Sequence, residues 1–427
     1  MKLLVHRLLE KLRNNNFGLF LFLCGIFFLP STLLISISFL LPAAVLGSFA
    51  QKKSFYKDKW NYPFLIFGIV ILTSAFLQNF ALKNNFAEIW DPTLSIIGLG
   101  NWLPFIWLFW ALQPFLNSKS KRRLFALILI AGTFPVLITG FGQYFFNWTG
   151  PFETLKGLII WYQRPIESPA GLSGLFNNQN YAGSWLNFVW PFCIALFLEK
   201  KDFLFSKIIA SLFLISVGSA SFLTFSRNAW LGLITALPIF FNKRGVIIFL
   251  SLITILLILN TSKEFIHIIE PIIPSKIILE FSEEGYKTLD STRTAIILSA
   301  LDIIKISPIF GIGAASFSKI YLLETHFWKG HSHNLLTELA ISYGLPSAII
   351  LFFTIAFILI LSFQKIFIYK KLSNNSLFDK AFWGAFLSFL ISQQFDIQYF
   401  DGKISLIAWI LVAGLKNIIL EKEKKML

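Results

Sequence analysis

The chain has 427 residues, of which 56% are hydrophobic and only 14% are charged, and its formal net charge is +15. A soluble domain carries about a quarter charged residues, so this composition excludes an ordinary soluble protein and requires lipid around much of the chain. The two cysteines, Cys24 and Cys193, both lie in apolar stretches, which leaves no disulfide framework and no cysteine-based metal site.

Apolar stretches long enough to cross about 30 Å of hydrocarbon recur along the chain, without the alternation that is typical of barrel strands. The predicted fold class is therefore an all-α polytopic integral membrane protein with about twelve transmembrane helices. The spans are expected at residues 17–30, 32–49, 61–80, 95–115, 122–145, 182–198, 204–225, 228–242, 245–260, 335–363, 378–395 and 404–420. The first two divide one apolar stretch at Pro30–Ser31, and we interpret them as a retained signal-anchor hairpin.

The positive charge is divided among the connections between these spans. With the N-terminus inside, alternate connections hold most of the lysines and arginines, and the other connections are acidic in balance. The basic clusters between spans are Lys52, Lys53, Lys57 and Lys59; Lys119, Lys121, Arg122 and Arg123; Lys200, Lys201 and Lys207; Lys243 and Arg244; and Lys365, Lys370, Lys371 and Lys380. This distribution predicts that both termini are cytoplasmic, and it argues against a nucleic-acid surface, which needs its charge on one face.

Two outer connections are too long to be simple turns, and loops of this size on a rigid scaffold often carry function. The first covers about residues 147–181, and the second is a large loop at 261–334, between the ninth and tenth helices. Within the large loop we expect an amphipathic helix over 291–306, a turn at 311–314 and a short helix over 316–323. The predicted organisation is residues 1–260 with nine spans, the loop at 261–334, and residues 335–427 with three spans and a cytoplasmic tail.

Two arginines at the outer membrane boundary are candidate anion ligands. Arg227 lies between two spans with almost no loop, where an arginine usually has an anionic partner, although interfacial snorkelling is the alternative. Arg293 lies in the first turn of the expected loop helix, where a salt bridge to Asp290 is the structural alternative. Because the planar guanidinium fork forms paired, charge-assisted hydrogen bonds with phosphate, the two arginines together suggest an anion clamp.

His333 lies just before the tenth expected span, and a histidine there can take a proton near neutral pH. Simple solvation of the ring is the alternative. His326 and His331, together with Glu324, offer a metal-site alternative, but their spacing matches no strong metal motif, so no metal is expected. The sequence contains no nucleotide-binding motif and no hydrolase or zinc-protease motif, so a donor substrate would have to arrive already activated in the membrane.

Several segments resemble the O-antigen ligase and polymerase superfamily of bacterial envelope glycosyltransferases. His333–Asn334, followed after nine residues by Gly344, is similar to the His-Asn motif of the ligases, from which Ser347 at the end of the motif departs. The other similar segments are Ser226–Trp230, Thr292–Arg293, Pro308–Gly313 with Ser316–Phe317, and Phe176–Ala182. Motifs thus cover about residues 170–350, and the expected topology of the whole chain is similar to that of the ligases.

The resemblance implies an inverting, metal-independent glycosyltransferase without a cofactor. It would move a glycan from undecaprenyl diphosphate to lipid A–core or another surface acceptor, at the periplasmic face of a bacterial inner membrane. By resemblance the catalytic residues are Arg227 and Arg293, which would bind the diphosphate, and His333, which would accept the proton of the acceptor hydroxyl or orient that hydroxyl. The expected substrate contacts are Arg164, Asn178, Asn180, His331 and Asp396.

Some of these assignments have alternatives. Asn178 and Asn180 could instead cap the sixth span, and Asp396 could orient a cation. A polymerase or a protein oligosaccharyltransferase of the same superfamily would use similar arginines with a different acceptor. A small-anion transporter, for example for bicarbonate, is the alternative from another class, but the polar residues lie at the outer boundary rather than at mid-bilayer. The expected partners are therefore the lipid-linked donor, a glycan acceptor and membrane lipids, with no nucleic acid.

Overall fold

The computed structural model describes residues 16–81, 91–167, 170–200, 203–261, 293–369 and 377–421. The regular secondary structure of these residues is helical apart from one short antiparallel ribbon. The helices are α1 (Asn16–Phe28), α2 (Leu33–Ala50), α3 (Tyr62–Ala81), α4 (Pro92–Gly98), α5 (Leu103–Ala111), α6 (Lys119–Gly132), α7 (Phe134–Phe146), α8 (Gln179–Leu198), α9 (Leu204–Leu223), α10 (Arg227–Thr261), α11 (Arg293–Ile306), α12 (Ser316–Thr325), α13 (Leu335–Tyr343), α14 (Leu345–Phe363), α15 (Leu377–Ser392) and α16 (Gly402–Leu420). The ribbon pairs β1 (Phe152–Thr154) with β2 (Ile159–Trp161).

Within the described part of the chain, eight helical segments are long and apolar enough to cross a membrane. They are Leu33–Ala50, Lys59–Gln78, Thr93–Ala111, Lys119–Phe146, Gln179–Leu198, Leu204–Leu223, Leu345–Ile368 and Gly402–Leu420. Two shorter apolar helices, α1 and the first part of α10, accompany them. The chain is therefore an all-helical integral membrane protein of the polytopic type, and the total of about twelve spans stays a prediction.

Two helices form the centre of the bundle. Helix α8 packs against α9, α10 and α15, and helix α16 packs against α5, α14 and α15. Trp185, Phe188 and Phe192 of α8 are fully buried, and so is most of α16. Each of these two helices is 78% buried within the protein, whereas the more apolar segment Leu345–Ile368 is only 28% buried, as expected when lipid surrounds the outer helices. The packing fixes the positions of the ends of both helices. The candidate site lies where α8 and α16 begin.

The predicted loop at Lys243–Arg244 is instead a sharp bend inside the helical segment α10. A straight helix would separate Leu237 from Gly245 by about 12 Å along its axis. In the structure, a Cβ atom added to Gly245 would overlap the carbonyl oxygen of Leu237 and would lie 2.9 Å from the Cα atom of Pro238. The chain therefore turns back on itself here, next to a proline that removes a backbone donor. The expected spans 228–242 and 245–260 lie on either side of this bend, which takes the place of a loop between them.

The expected tenth span, residues 335–363, is also corrected, because it is two helices that meet at Gly344. This residue has φ 88°, and an added Cβ atom would overlap the carbonyl oxygen of Ile309, so glycine alone fits without strain. The side chain of Gln78 donates to the Ser342 carbonyl oxygen at 2.8 Å, which satisfies a carbonyl at the break. Only α14 is long enough to span, and α13 is free to carry site residues outside the span.

The two outer connections contain local structure that positions the site. Helices α11 and α12 confirm the helices expected in the large loop, while residues 262–292 lie outside the described residues. Helix α11 buries one face and packs against α12 and α13. The ribbon β1–β2 in the first connection is a small departure from the predicted all-α class, and Trp161 Nε1 anchors it by donating to the Ser31 carbonyl oxygen at 2.7 Å.

Buried ion pairs join the connections that were predicted to be cytoplasmic. Arg122 is fully buried and bonds Asp379 at 2.7 Å and Glu421 at 2.6 Å, and Lys416 bonds Asp58 at 2.6 Å. We call this region, defined by these five residues, the paired-charge end. The pairs connect segments that are far apart in the sequence, so they fix the ends of α6, α15 and α16 relative to one another.

Candidate functional site

A buried carboxylate forms the centre of the candidate site. Asp396 lies in the turn between α15 and α16 and is 7% exposed. Its Oδ2 atom accepts hydrogen bonds from Asn180 Nδ2 at 3.0 Å and from Gln398 Nε2 at 2.8 Å. Its Oδ1 atom accepts from the backbone N–H of Ile397 at 3.1 Å and also faces the imidazole of His333. The amide groups fix the carboxylate plane, so that Oδ1 is directed toward the neighbouring histidine turn.

Two histidines in the turn between α12 and α13 converge on this oxygen. His333 Nδ1 lies 2.9 Å from Asp396 Oδ1, and His331 Nε2 lies 3.7 Å from the same atom. The side chains of both histidines are about one-quarter exposed, so they remain accessible from outside the bundle. His333 has φ 57°, a left-handed conformation that few residues other than glycine adopt and that is often found at functional sites.

The start of α13 explains why the histidines and Asp396 meet. Asn334 caps α13 by accepting hydrogen bonds from Leu336 N at 3.0 Å and Thr337 N at 3.1 Å. Its amide group also donates to Gln394 Oε1 at 2.9 Å, and Leu335 N donates to the Gln393 carbonyl oxygen at 3.0 Å. The N-terminus of α13 is thus fixed to the turn after α15, which holds the His333 ring beside the carboxylate.

Glu338 fixes the histidine turn from the inside. Its side chain is 4% exposed, and its Oε2 atom accepts a hydrogen bond from the backbone N–H of Ser332 at 2.8 Å. Burial raises the pKa of the Glu338 carboxyl group, against the opposing effects of the Ser332 hydrogen bonds and of nearby His333. Sequence reasoning missed this residue, although an acid in the first helical turn after a capping asparagine was a usable signal.

Gln398 connects the carboxylate to the centre of the bundle. Its Oε1 atom accepts from Ser184 Oγ of α8 at 3.0 Å, from Ser392 Oγ at 3.0 Å and from Gln393 Nε2 at 2.9 Å. All of its partners are buried, so the network specifies one arrangement of the turn. Gln398 was also missed, and the density of polar residues after an apolar stretch was the available indication.

Arg227 lies at the same end of the bundle, where α10 begins. The first turns of α10 pack directly on α8, since a Cβ atom added to Gly183 would lie 2.7 Å from Cβ of Ala229. Asn187 Nδ2 of α8 also donates to the carbonyl oxygen of Asn228 at 2.9 Å. Gly183 is one helical turn after Asn180, which bonds Asp396, so the start of α10 packs beside the same part of α8 that contacts the carboxylate. Its side chain is partly exposed.

The other predicted site residues have different outcomes. Asn180 contacts Asp396, whereas exposed Asn178 caps α8, with its side-chain oxygen accepting from Asn180 N at 2.9 Å and Tyr181 N at 3.1 Å. Arg164 has an exposed side chain, and its carbonyl oxygen accepts from Gln143 Nε2. Arg293 begins α11, and the placement of its side chain, like its expected pairing with Asp290, lies outside the described part of the chain.

The residues that could bind a metal ion in the structure differ from the metal-site alternative that the sequence suggested. His331, His333 and Asp396 each offer one ligand atom, and these atoms lie within 4.8 Å of one another. The expected set of His326, His331 and Glu324 does not match this grouping, because Glu324 instead accepts from Ser299 Oγ and exposed His326 ends α12.

Comparison with known proteins adds a family match to this geometry. Residues 210–353 match the family model described as O-antigen ligase. No curated protein matched the chain. The matched stretch contains Arg227, Arg293 and His333, and the fold brings Asn180 and Asp396 to it from outside. The resemblance seen in the sequence is thereby confirmed over residues 210–353, where the family match supports the O-antigen ligase and polymerase superfamily.

Proposed function

We propose that the chain is a ligase-type glycosyltransferase that moves a glycan from undecaprenyl diphosphate to lipid A–core or another surface acceptor. The observation that carries this proposal is the His333–Asp396 pair, 2.9 Å apart, at the bundle end where Arg227 begins α10. A base beside an anion-binding arginine is what a transfer from a lipid diphosphate to a hydroxyl group requires. The match to the O-antigen ligase family supports the same reaction class.

The proton pathway follows from the tautomer that this contact favours. The carboxylate of Asp396 accepts a hydrogen bond from His333 Nδ1–H, which leaves Nε2 with a lone pair. His333 Nε2 would take the proton of the acceptor hydroxyl as its oxygen attacks the anomeric carbon of the glycan. Asp396 then stabilises the imidazolium ion that forms, as the carboxylate does in hydrolase triads. Asn180 and Gln398 keep Asp396 in place throughout.

The leaving group is the second requirement. As the acceptor oxygen bonds to the anomeric carbon from one face, the bond between that carbon and the diphosphate oxygen breaks on the other, so the configuration inverts. Negative charge then grows on the diphosphate, and Arg227 would stabilise it through paired hydrogen bonds, with Arg293 as the second arm. In this mechanism two guanidinium groups would perform the electrostatic role, and no cofactor takes part.

The proposed orientation places the site at the periplasmic face of a bacterial inner membrane, with both termini in the cytoplasm. The basic connections support it, since the positive-inside rule assigns them to the cytoplasm. The ion pairs of the paired-charge end join several of these connections, which is consistent with their lying on one side.

The test is a transfer assay with the purified full-length chain in lipid, given undecaprenyl-diphosphate-linked glycan and lipid A–core without nucleotide or added metal. We expect glycan transfer that is lost in Arg293→Ala and His333→Ala and retained in His326→Ala, which removes an exposed histidine of the same region. Lengthening of the lipid-linked glycan without an acceptor would instead identify a polymerase. If no reaction occurred with a lipid, glycan or peptide acceptor, the proposal would be wrong and anion transport would be measured next.

A further inference from the structure

The spacing of three side-chain atoms in the site matches what a small divalent transition-metal ion requires. Around a tetrahedral zinc ion with bonds of about 2.0–2.1 Å, ligand atoms lie about 3.3 Å apart. Asp396 Oδ1 is 2.9 Å from His333 Nδ1 and 3.7 Å from His331 Nε2, and these distances bracket that value. The two ring nitrogens and this oxygen all lie within 4.8 Å of one another, so small rotations of the imidazole rings would admit an ion between them.

The groups behind these atoms also resemble the outer shell of a metal site. The carboxylate of Asp396 is buried, and its second oxygen is held by Asn180 Nδ2 and Gln398 Nε2. Outer partners of this kind orient metal ligands and commonly contribute about 10–100-fold to affinity. Three protein ligands with a fourth position open to solvent is the arrangement of accessible zinc sites, and both imidazoles are partly exposed.

We propose that His331, His333 and Asp396 bind a zinc-class divalent ion and that this ion inhibits the chain rather than serving its reaction. An ion on His333 Nδ1 forces the remaining ring proton onto Nε2, so the lone pair that would accept the acceptor proton is lost. Binding through His331 Nε2 moves its ring proton to Nδ1 and ends the 3.2 Å contact from His333 N. Because two hydrogen bonds are given up, this contact and the bond from His333 Nδ1–H to Asp396, we expect the binding to be reversible.

Only the inhibition depends on the proposed transferase function, and metal binding can be measured without any turnover. The experiment titrates Zn²⁺ alone into the tag-free, full-length protein in lipid nanodiscs, in competition with a coloured chelator. We expect one ion per chain, with affinity at least about tenfold weaker in His331→Ala, in Asp396→Asn and in the outer-shell variant Asn180→Ala. His326→Ala is the matched control and should bind like the unmodified chain, and Mg²⁺ should not compete.

The absorption spectrum of Co²⁺ bound in place of zinc reports directly on nitrogen and oxygen ligands, and it should change in His331→Gln, which preserves side-chain volume. Size-exclusion profiles establish that each variant is folded. Binding of Zn²⁺ that is unchanged in His331→Gln and Asp396→Asn would overturn the site. If the unmodified chain binds zinc and transfers glycan, the transfer rate is then measured with saturating zinc and again after a chelator removes it. We expect zinc to abolish transfer and the chelator to restore it. Transfer that saturating zinc leaves unchanged would overturn the inhibitory role.

Discussion

The two ends of the bundle use buried charge in different ways. At the paired-charge end, Arg122 lies between two carboxylates and Lys416 bonds Asp58, so oppositely charged groups face each other. At the site end, the buried carboxylate of Asp396 instead receives side-chain amides and the imidazole of His333. An imidazole can gain or lose a proton near neutral pH, whereas a guanidinium group cannot.

We therefore expect the paired-charge end to contribute to stability and the site end to contribute to turnover. Removing one partner of a buried ion pair leaves an uncompensated charge, so substitutions at the paired-charge end should lower the free energy of unfolding. Substitutions of the partly exposed histidines remove little packing, so they should change turnover and leave the fold intact. Matched substitutions at the two ends can therefore test whether each end has the role that its partners indicate.

The largest effect is expected for His333→Ala. Loss of a general base commonly reduces turnover by about 100–10,000-fold, and we expect a loss of this size in glycan transfer. Binding of the lipid-linked donor should persist, because His333 contacts Asp396, whereas Arg227 and Arg293 are the residues proposed to bind the donor diphosphate. The measurement pairs the transfer rate with donor binding in nanodiscs. If donor binding disappeared together with transfer, His333 would be a binding or folding residue and not a base.

Arg227→Lys should have the next largest effect, with transfer reduced about 100-fold. Lysine keeps the positive charge but lacks the planar fork that forms two parallel hydrogen bonds with a phosphate. The matched control is Arg123→Lys, in which an arginine paired with Glu199 is replaced in the same way. Rates are compared at saturating donor for both variants. Near-normal turnover in Arg227→Lys would eliminate the diphosphate-clamp role, whatever the result at Arg123.

Local sequence patterns were sufficient for the helices of the fold and for the histidine turn. The loop helices α11 and α12 were predicted from capping and periodicity, and His333 from its position before an apolar stretch. The contact between His333 and Asp396 was not predicted, because the two residues are 63 positions apart and the turn that joins them depends on tertiary bonds of Asn334. Similarly, asparagine is suited both to capping a helix and to binding a sugar, so only the structure shows that Asn178 caps α8.

Backbone geometry was the other property that the sequence did not reveal. An apolar run from 335 to 363 predicts a single span, but the close approach of the Ile309 carbonyl group to Gly344 divides it. The bend in α10 has the same origin, since Gly245 permits contact with a backbone eight residues earlier. Both features depend on contacts between distant atoms, whereas hydropathy reports only how apolar each segment is.

At the paired-charge end, Arg122→Met should lower the free energy of unfolding by about 3–5 kcal/mol, because it leaves the Asp379 carboxylate buried near Glu421 without the guanidinium group. The double variant Arg122→Met/Asp379→Leu should recover much of this loss, since an apolar pair replaces the ion pair. Unfolding in mixed detergent micelles measures both. Transfer per folded molecule should be unchanged; a selective loss of transfer would mean that this end also takes part in the chemistry.

The smallest effect is expected for Arg123→Ala, one position along the same helix. Arg123 forms two bonds with Glu199, at 2.6 Å and 2.9 Å, but its side chain is 47% exposed, whereas that of Arg122 is fully buried. Exposed pairs contribute about 0–1 kcal/mol because water screens the attraction and solvates either partner when the other is removed. The same unfolding measurement should therefore separate two neighbouring arginines with similar bond lengths. An equal decrease in the free energy of unfolding for the Arg122 and Arg123 variants would show that bond geometry, rather than burial, determines how much each charge pair contributes to stability.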